Sequence, residues 1–367
     1  MLADAALIRP ATLADCRRIA EIHVQSWQAT YAGLLPGEAL AALSIDQREA
    51  RWQTLLPQGE STTLVLEQAG RVVGWLSYGH CRDAGADACE GEIWAIYLDP
   101  AWLGQGLGRQ LWQAGVAGLR AAGLTRISVW VAAGNGGAVD FYRAMGLAAE
   151  IDSMQPDEMA GHPVQMLRLS GAMDAAPPDA AAEIAAVLAF WFGDAAAPRP
   201  AWFQRDAAFD DAIIQRFGAL ITAAQAGGLQ RWRASPQGLL AYLLLLDQFC
   251  RNAFRQQPRA FLADPLALAA AQQAVAQGLD QQLSPLQRIF VYLPFEHAEY
   301  LAMQDQAVVL FRALAADQPE LSPYLDYAYR HREVIQRFGR FPHRNNVLGR
   351  PSSEAEIAYL AEPGSGF

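Results

Sequence analysis

The sequence predicts two domains of different class: an α/β half, with a mixed sheet flanked by helices, and then an all-α half. Three observations carry this. The length of 367 residues suits two domains at roughly 150 residues each. Strand and helix patterns alternate up to about residue 170, whereas nearly every apolar run beyond 184 has helical spacing. Between them, GAMDAAPPDAAAE (171–183) is small, proline-containing and poor in large apolar residues, which is linker chemistry. The predicted organisation is 1–170, a linker at 171–183, and 184–367.

In the first half, 6–9 reads as a short strand. Thr12-Leu-Ala-Asp15 has the form of a capping box opening a helix to about Val24. The β-branched and aromatic runs 63–66 and 72–78 are strands, with Ala69-Gly70 as a hairpin turn. EIWAIYL (92–98) is a strand closed by Asp99-Pro100. A glycine turn and a helix follow, with Leu111, Gly115, Val116 and Leu119 on one side. A strand at 127–131, a helix at 138–145 and a strand at 164–169 complete a sheet flanked by helices. In the second half, Ser235-Pro236, Asp264-Pro265, Ser284-Pro285 and Ser322-Pro323 each place a cap residue before a proline. Ser353 to Glu356 forms a further capping box. GLLAYLLLLDQF (238–249) is apolar on all sides and belongs at the centre of the helical array.

The chain contains no lysine, so all 28 strong bases are arginine. That excludes a Schiff-base lysine and a P-loop, and it reads most simply as the product of a GC-rich genome. A charged fraction of 18% is too low for a disordered chain. A net charge of −10 argues against nucleic-acid binding. Cys16, Cys81, Cys89 and Cys250 form no CxxC pair, and no metal is expected. The N-terminus lacks the pattern of a signal peptide, and the most apolar run, 239–246, falls well short of the roughly 20 residues that span a bilayer. A cytoplasmic protein without membrane contact is expected.

The most informative segment is Tyr97-Leu-Asp-Pro-Ala-Trp-Leu-Gly-Gln-Gly-Leu-Gly-Arg109. A strand ends, the chain turns through Gly104, Gly106 and Gly108, and a helix starts. Converging backbone amides and a helix N-terminus make a concave site for a pyrophosphate, to which Arg109 can add a charge. A Rossmann turn needs G-x-G-x-x-G with a later acidic residue, which is absent.

This region resembles motif A of the GNAT N-acetyltransferase superfamily, which binds the coenzyme A pyrophosphate. Asn135-Gly-Gly-Ala-Val-Asp-Phe-Tyr142 with Gly146-Leu147 is similar to the family's closing motif, and Ile22 to Pro36 to its opening helices in one bacterial branch. The resemblance spans about 6–170. Leu103 stands where Arg or Gln is usual, and Leu147 where Phe is usual. It implies acetyl-CoA as co-substrate and transfer of its acetyl group to an amine. The turn residues Leu103, Gly104, Gln105, Gly106, Leu107, Gly108 and Arg109 would hold the pyrophosphate. Backbone groups of Ile96, Tyr97 and Leu98 would pair with the pantetheine arm like an added strand. Asn135 would bond the cofactor arm or cap a helix. Glu92 would be the general base, or else a hydrogen-bonded structural carboxylate. Tyr142 would protonate the leaving thiolate, or else be a core aromatic. His23, Trp27, Tyr31 and Trp94 would line the acceptor pocket, or belong to the core. The resemblance is also compatible with a homodimer.

In the second half, six of the 28 arginines and two of the six histidines fall within 330–350. The candidate polar cluster comprises Asp247, Arg251, Asn252, His297, His331, Arg337, Arg340, His343, Arg344 and Asn345. It reads either as ion pairs holding helices together, with Asp326, Arg330, Glu333 and Arg337 on one helical face, or as an anion pocket. Val187 to Gly193, Leu246 to Asn252, Tyr292 to Glu299 and His331 to Arg350 resemble a bacterial family of unknown function, number 924, with a TPR-like helical fold. The function expected is an acetyl-CoA-dependent N-acetyltransferase acting on a small-molecule amine or a protein N-terminus. The helical domain would select the acceptor, bind a protein partner or hold an anionic metabolite. The alternatives are an acyl-CoA sensor without turnover, and a bifunctional protein with a second enzyme in its helical half.

Overall fold

The computed structural model describes residues 6–193, 198–199, 202, 204–362 and 364–365. The chain divides into two compact units, Met1–Pro178 and Asp179–Phe367.

The first unit is built on a sheet of eight strands: β1 Leu7–Pro10, β2 Thr62–Gln68, β3 Arg71–His80, β4 Glu90–Leu98, β5 Arg126–Ala132, β6 Ala148–Ala149, β7 Gln155–Met159 and β8 His162–Ala172. The order is β1-β2-β3-β4-β5-β8-β6, with β7 also paired to β8. Only β4 and β5 run parallel among the paired strands. The helices are α1 Cys16–Thr30, α2 Gly37–Ala41, α3 Ile45–Leu55, α4 Leu107–Ala121 and α5 Gly136–Ala144.

Local chemistry explains these elements. The Asp15 carboxylate accepts from the Thr12 amide at 2.8 Å and pairs with Arg9, so the expected box opens the helix. A short turn at Leu13–Asp15 comes first, and α1 runs to Thr30, beyond the expected Val24. It buries Ile19, Ile22 and Val24 on one side. Ala69 (φ 50°) and Gly70 (φ 71°) make the two-residue hairpin turn in the left-handed region. The last strand is longer than expected and gains a hairpin partner, β7, through Ala160 (φ 51°) and Gly161 (φ 78°). On α4, a Cβ at Gly118 would stand 2.0 Å from the Tyr78 hydroxyl, so glycine lets the helix lie close on the sheet. The irregular stretch between the units is confined to 173–179, because β8 reaches Ala172 and Asp179 caps the next helix.

The second unit is helical: α6 Ala180–Phe192, α7 Ala207–Gln225, α8 Pro236–Leu243, α9 Cys250–Ala253, α10 Asp264–Ala276, α11 Pro285–Glu296, α12 Leu301–Asp317, α13 Ser322–Phe338 and α14 Glu354–Leu360. Ser235, Ser284 and Ser353 cap α8, α11 and α14 through their side chains. Asp264 and Ser322 depart from the expectation. Each is the first helical residue, after Ala263 and Leu321, and Asp264 pairs with arginines. The apolar run 238–249 is central, with every residue buried, but it is not a uniform helix. Leu244–Phe249 is a π-turn, the wide i→i+5 form. Among the described residues, no helix is long and apolar enough to cross a membrane.

Candidate active site

The site begins where two strands part. Among the described residues, β4 pairs with β5 only at Glu90↔Arg126, Gly91↔Ile127 and Glu92↔Ser128. Beyond that, β4 stays with β3 up to Leu98 while β5 stays with β8 up to Ala132. A wedge opens between them, and the backbone of 93–98 facing it lacks a partner strand. Ile96, Tyr97 and Leu98 therefore lie on this free edge; the Leu98 carbonyl already accepts from Ser26 Oγ at 2.5 Å.

The wedge ends at the glycine turn. Asp99 accepts from the Ala101 amide at 3.0 Å and starts the short helix Pro100–Trp102. Gly104 (φ 76°) and Gly106 (φ 79°) are left-handed, and Gly106 caps α4. A Cβ at either position would meet open space, so the requirement is conformational. The first amides of α4, on Leu107, Gly108 and Arg109, lack helical acceptors by geometry, and Leu103, Gln105 and Arg109 are exposed around them. This is a cradle for an anion without any lysine.

Tyr142 on α5 is 8% exposed and packs against Trp112 and Phe141. Burial pushes its phenol well above the ordinary tyrosine value. Among the described residues its hydroxyl has no hydrogen-bond partner. Asn135 caps α5, its side chain accepting from the Ala138 amide at 3.2 Å. Tyr31 packs edge-on against Trp27, whose Nε1 donates to the Tyr97 hydroxyl at 3.0 Å. The cap alternative for Asn135 is thus realised.

Glu92 is 1% exposed, and its carboxylate is engaged by Arg82. It accepts from the Arg82 amide at 3.0 Å and from Nε at 3.1 Å. The Arg82 guanidinium also lies 4.4 Å from the centre of the Trp94 ring. Both carboxylate oxygens are thus taken up by Arg82, the contact expected of a hydrogen-bonded structural carboxylate.

Beside β4 lies a pocket of about 440 Å³ lined by His23, Trp27, Arg48, Arg51, Trp52, Trp75 and Trp94, with Glu60 and Glu158 also on its wall. Three of the four expected acceptor residues line it; Tyr31 is instead buried in an apolar cluster with Leu35 and Leu40. His23 stacks on Tyr97, and its pKa is pushed down to about 3 by burial, with Arg48 and Arg51 adding to the effect. It is neutral and weakly basic. Arg48, Arg51 and Trp52, all on α3, had no sequence expectation. Ser44-Ile-Asp-Gln47 was the available signal: the Ser44 side chain accepts from the Gln47 amide and caps that helix.

In the helical unit the expected cluster separates. Asp247 pairs with Arg251 at 2.9 Å and with His297 at 2.7 Å. Burial opposes its charge, but Arg251 and His297 outweigh that and hold it below the ordinary aspartate value. Arg251 and Arg344 share Asp264 at 3.0 and 3.2 Å. His331 contacts Glu296 at 3.0 Å. Burial lowers the His331 pKa, and that of Glu296 is pushed up to about 8. His343 lies 5.6 Å from the Phe341 ring, its pKa lowered to about 4 by burial. The others lie apart from this centre. Asn252 donates to Asp210, Arg340 pairs with Glu356, and Asn345 bonds Ser352 and Arg350. Arg337 lies over Phe338 and Tyr359, and Arg330 donates to the Gly364 carbonyl. Among the described residues no group of three or more His, Cys, Asp or Glu could hold a metal.

Comparison with known proteins agrees with the wedge and turn. Residues 187–364 match the family described as a bacterial protein of unknown function (DUF924). Over 50% of this chain and 99% of the other, a solved protein of unknown function from Agrobacterium tumefaciens is 41% identical, with a TM-score of 0.46. Mycothiol acetyltransferase of Thermobispora bispora is 40% identical over 82 residues, 22% of this chain and 28% of that protein. The chain thus spans about a quarter of that relative. Residues 16–147 match the acetyltransferase (GNAT) family. The uncharacterized N-acetyltransferase YuaI of Bacillus subtilis is 33% identical over 137 residues, 37% of this chain and 77% of that protein. With the parted strands and the left-handed glycine turn in the same segment, the chain belongs to the GNAT family of acetyltransferases.

Proposed function

We propose that the first unit transfers the acetyl group of acetyl-CoA to a primary amine, with the thioester lying in the wedge between β4 and β5. The observation that carries this is the free edge of β4 ending at the amide cradle of residues 103–109, with the Tyr142 hydroxyl unpartnered nearby. The pantetheine amides add to the edge as a strand would, and the pyrophosphate meets the cradle. The neutral amine attacks the thioester carbonyl carbon, a C–N bond forms and the C–S bond breaks. Tyr142, kept protonated by burial, gives its proton to the departing thiolate and is reprotonated from solvent. The amine proton leaves to pocket water, because Glu92 is held by Arg82 and His23 is a weak base. Glu92 acts as a positioning residue that fixes Arg82 over Trp94.

The acceptor enters through the aromatic pocket, where His23, Trp27 and Trp94 contact it. In the helical unit, the pairing of Asp247, Asp264, Arg251 and Arg344 with one another favours a structural role for the polar centre. A partner of that unit would then be read by its surface.

Release of CoA thiol from acetyl-CoA in the presence of amines tests the proposal. Tyr142→Phe is expected to lower kcat by about 10²-fold while acetyl-CoA still binds. Wild-type turnover in the variant would remove Tyr142 from the mechanism. No binding of acetyl-CoA to the intact chain would remove the mechanism altogether.

A further inference from the structure

Several arginines of the first unit are countered. Arg168 pairs with Asp83 and Glu90, both at 2.7 Å, and Arg9 with Asp15 at 2.8 Å. Among the described residues Arg51, Arg109, Arg120 and Arg126 form no ion pair either, but they are exposed to water, whereas Arg48 is not. It is half-buried on α3, and among the described residues it forms no ion pair. Its guanidinium touches the His23 ring nitrogens at 3.1 and 3.4 Å and lies 4.7 Å from the centre of the Trp27 ring. Burial depresses its pKa, and Arg51 acts on it with the same sign of charge. A guanidinium drawn out of water without a counterion is costly unless something negative completes it. Stacking on Trp27 holds its planar fork in place, the geometry that grips a carboxylate through two parallel N–H bonds.

The surroundings narrow the ligand. The pocket walls beside Arg48 are Trp27, Trp52, Trp75 and Trp94, which suit an apolar body. The exposed Glu60 and Glu158 on the same wall suit an ammonium. Its volume of about 440 Å³ is that of a small-molecule site.

We infer that the acetyl acceptor is an apolar or aromatic amino acid, whose free carboxylate is held by Arg48 and whose side chain packs among the pocket tryptophans. That the occupant is an acceptor rests on the acetyl-transfer reading above; the carboxylate site itself stands on Arg48 alone.

The test uses the full chain with acetyl-CoA and matched acceptors: leucine, methionine and phenylalanine against their amides. The free acids are expected to be favoured in kcat/KM by about 10-fold or more, the effect of one charge-assisted contact. Arg48→Gln should erase that preference by raising KM for the acids, and Arg48→Lys should restore part of it. Retained acetyl-CoA binding shows that each variant is folded. A binding arm uses the N-acetyl amino acids without acetyl-CoA, with affinity read by calorimetry. If acids and amides are acetylated alike, the carboxylate site is wrong and acetyl transfer stands. If nothing is acetylated but the N-acetyl acids bind in an Arg48-dependent way, acetyl transfer is wrong and the carboxylate site stands. Binding that is indifferent to Arg48→Gln overturns the inference.

Discussion

Arginines drawn partly or wholly out of water face opposite situations in two regions of this molecule. In the helical unit, Arg251 and Arg344 share Asp264, and Arg251 also pairs with Asp247, so charge is neutralised within the fold. In the sheet unit, Arg48 meets a histidine and a tryptophan and no carboxylate among the described residues. The same residue type thus marks two kinds of place. Where the chain supplies the counter-charge, arginine joins helices. At Arg48, drawn partly out of water without one, the inferred ligand carboxylate supplies it. The wedge shows the same contrast in backbone groups, because β4 is paired on one side and open on the other.

The comparison is broken most severely at Asp247. Asp247→Ala leaves Arg251 and His297 without their shared carboxylate, and removing one partner of a buried pair costs about 3–5 kcal/mol. Urea unfolding measures this. A loss under about 1 kcal/mol would mean that the helical centre does not depend on its ion pairs.

A second, smaller effect is expected at Glu296. Burial raises its pKa from 4.5 to about 8 in the folded chain. Between those values the folded state keeps a proton that the unfolded state has lost, so its contribution to stability falls as pH rises and levels off above about 8. Glu296→Gln removes that dependence. The difference in unfolding free energy between wild type and variant should change by a few kcal/mol, in order of magnitude, across the window. The lowered pKa of His331, which touches Glu296, acts with the opposite sign at the acid end of the window. A flat difference would show that Glu296 is ionised when buried.

The smallest effect is expected at Glu92. As a positioning residue, Glu92→Gln should lower kcat only by a few fold, whereas loss of a general base costs about 10² to 10⁴. A drop in that larger range, with the acidic limb of the pH–rate profile abolished, would return the base role to Glu92.

The sequence disclosed features that rest on local chemistry. The glycine turn, the Thr12–Asp15 and Ser353–Glu356 boxes and the Ala69-Gly70 hairpin each depend on neighbouring residues, and each stands where it was expected. What stayed hidden depends on distant partners. Nothing in the order of residues says that Glu92 is taken by Arg82, ten positions earlier, or that Arg48 meets no carboxylate among the described residues. α3 buries no residue completely, so it leaves no apolar stripe to read, and its cap was the remaining sign. The π-turn at Leu244–Phe249 is likewise silent, because an unbroken leucine run suits either helical form. The arginine-rich stretch 330–350 drew attention as one cluster, yet its members divide among separate partners: Asp264, Glu299, Glu356 and the face of Tyr359.

The divergence of β4 from β5 also leaves a kinetic signature. Amides of 93–98 that point toward β3 are locked in a ladder, while those that point the other way have no strand to shield them. Deuterium should therefore enter this one strand at two rates, alternating residue by residue, although the strand lies in the middle of its sheet. Acetyl-CoA would slow the fast set and leave the slow set untouched. Peptide-resolved exchange across β4 would then report cofactor occupancy without any acceptor being present.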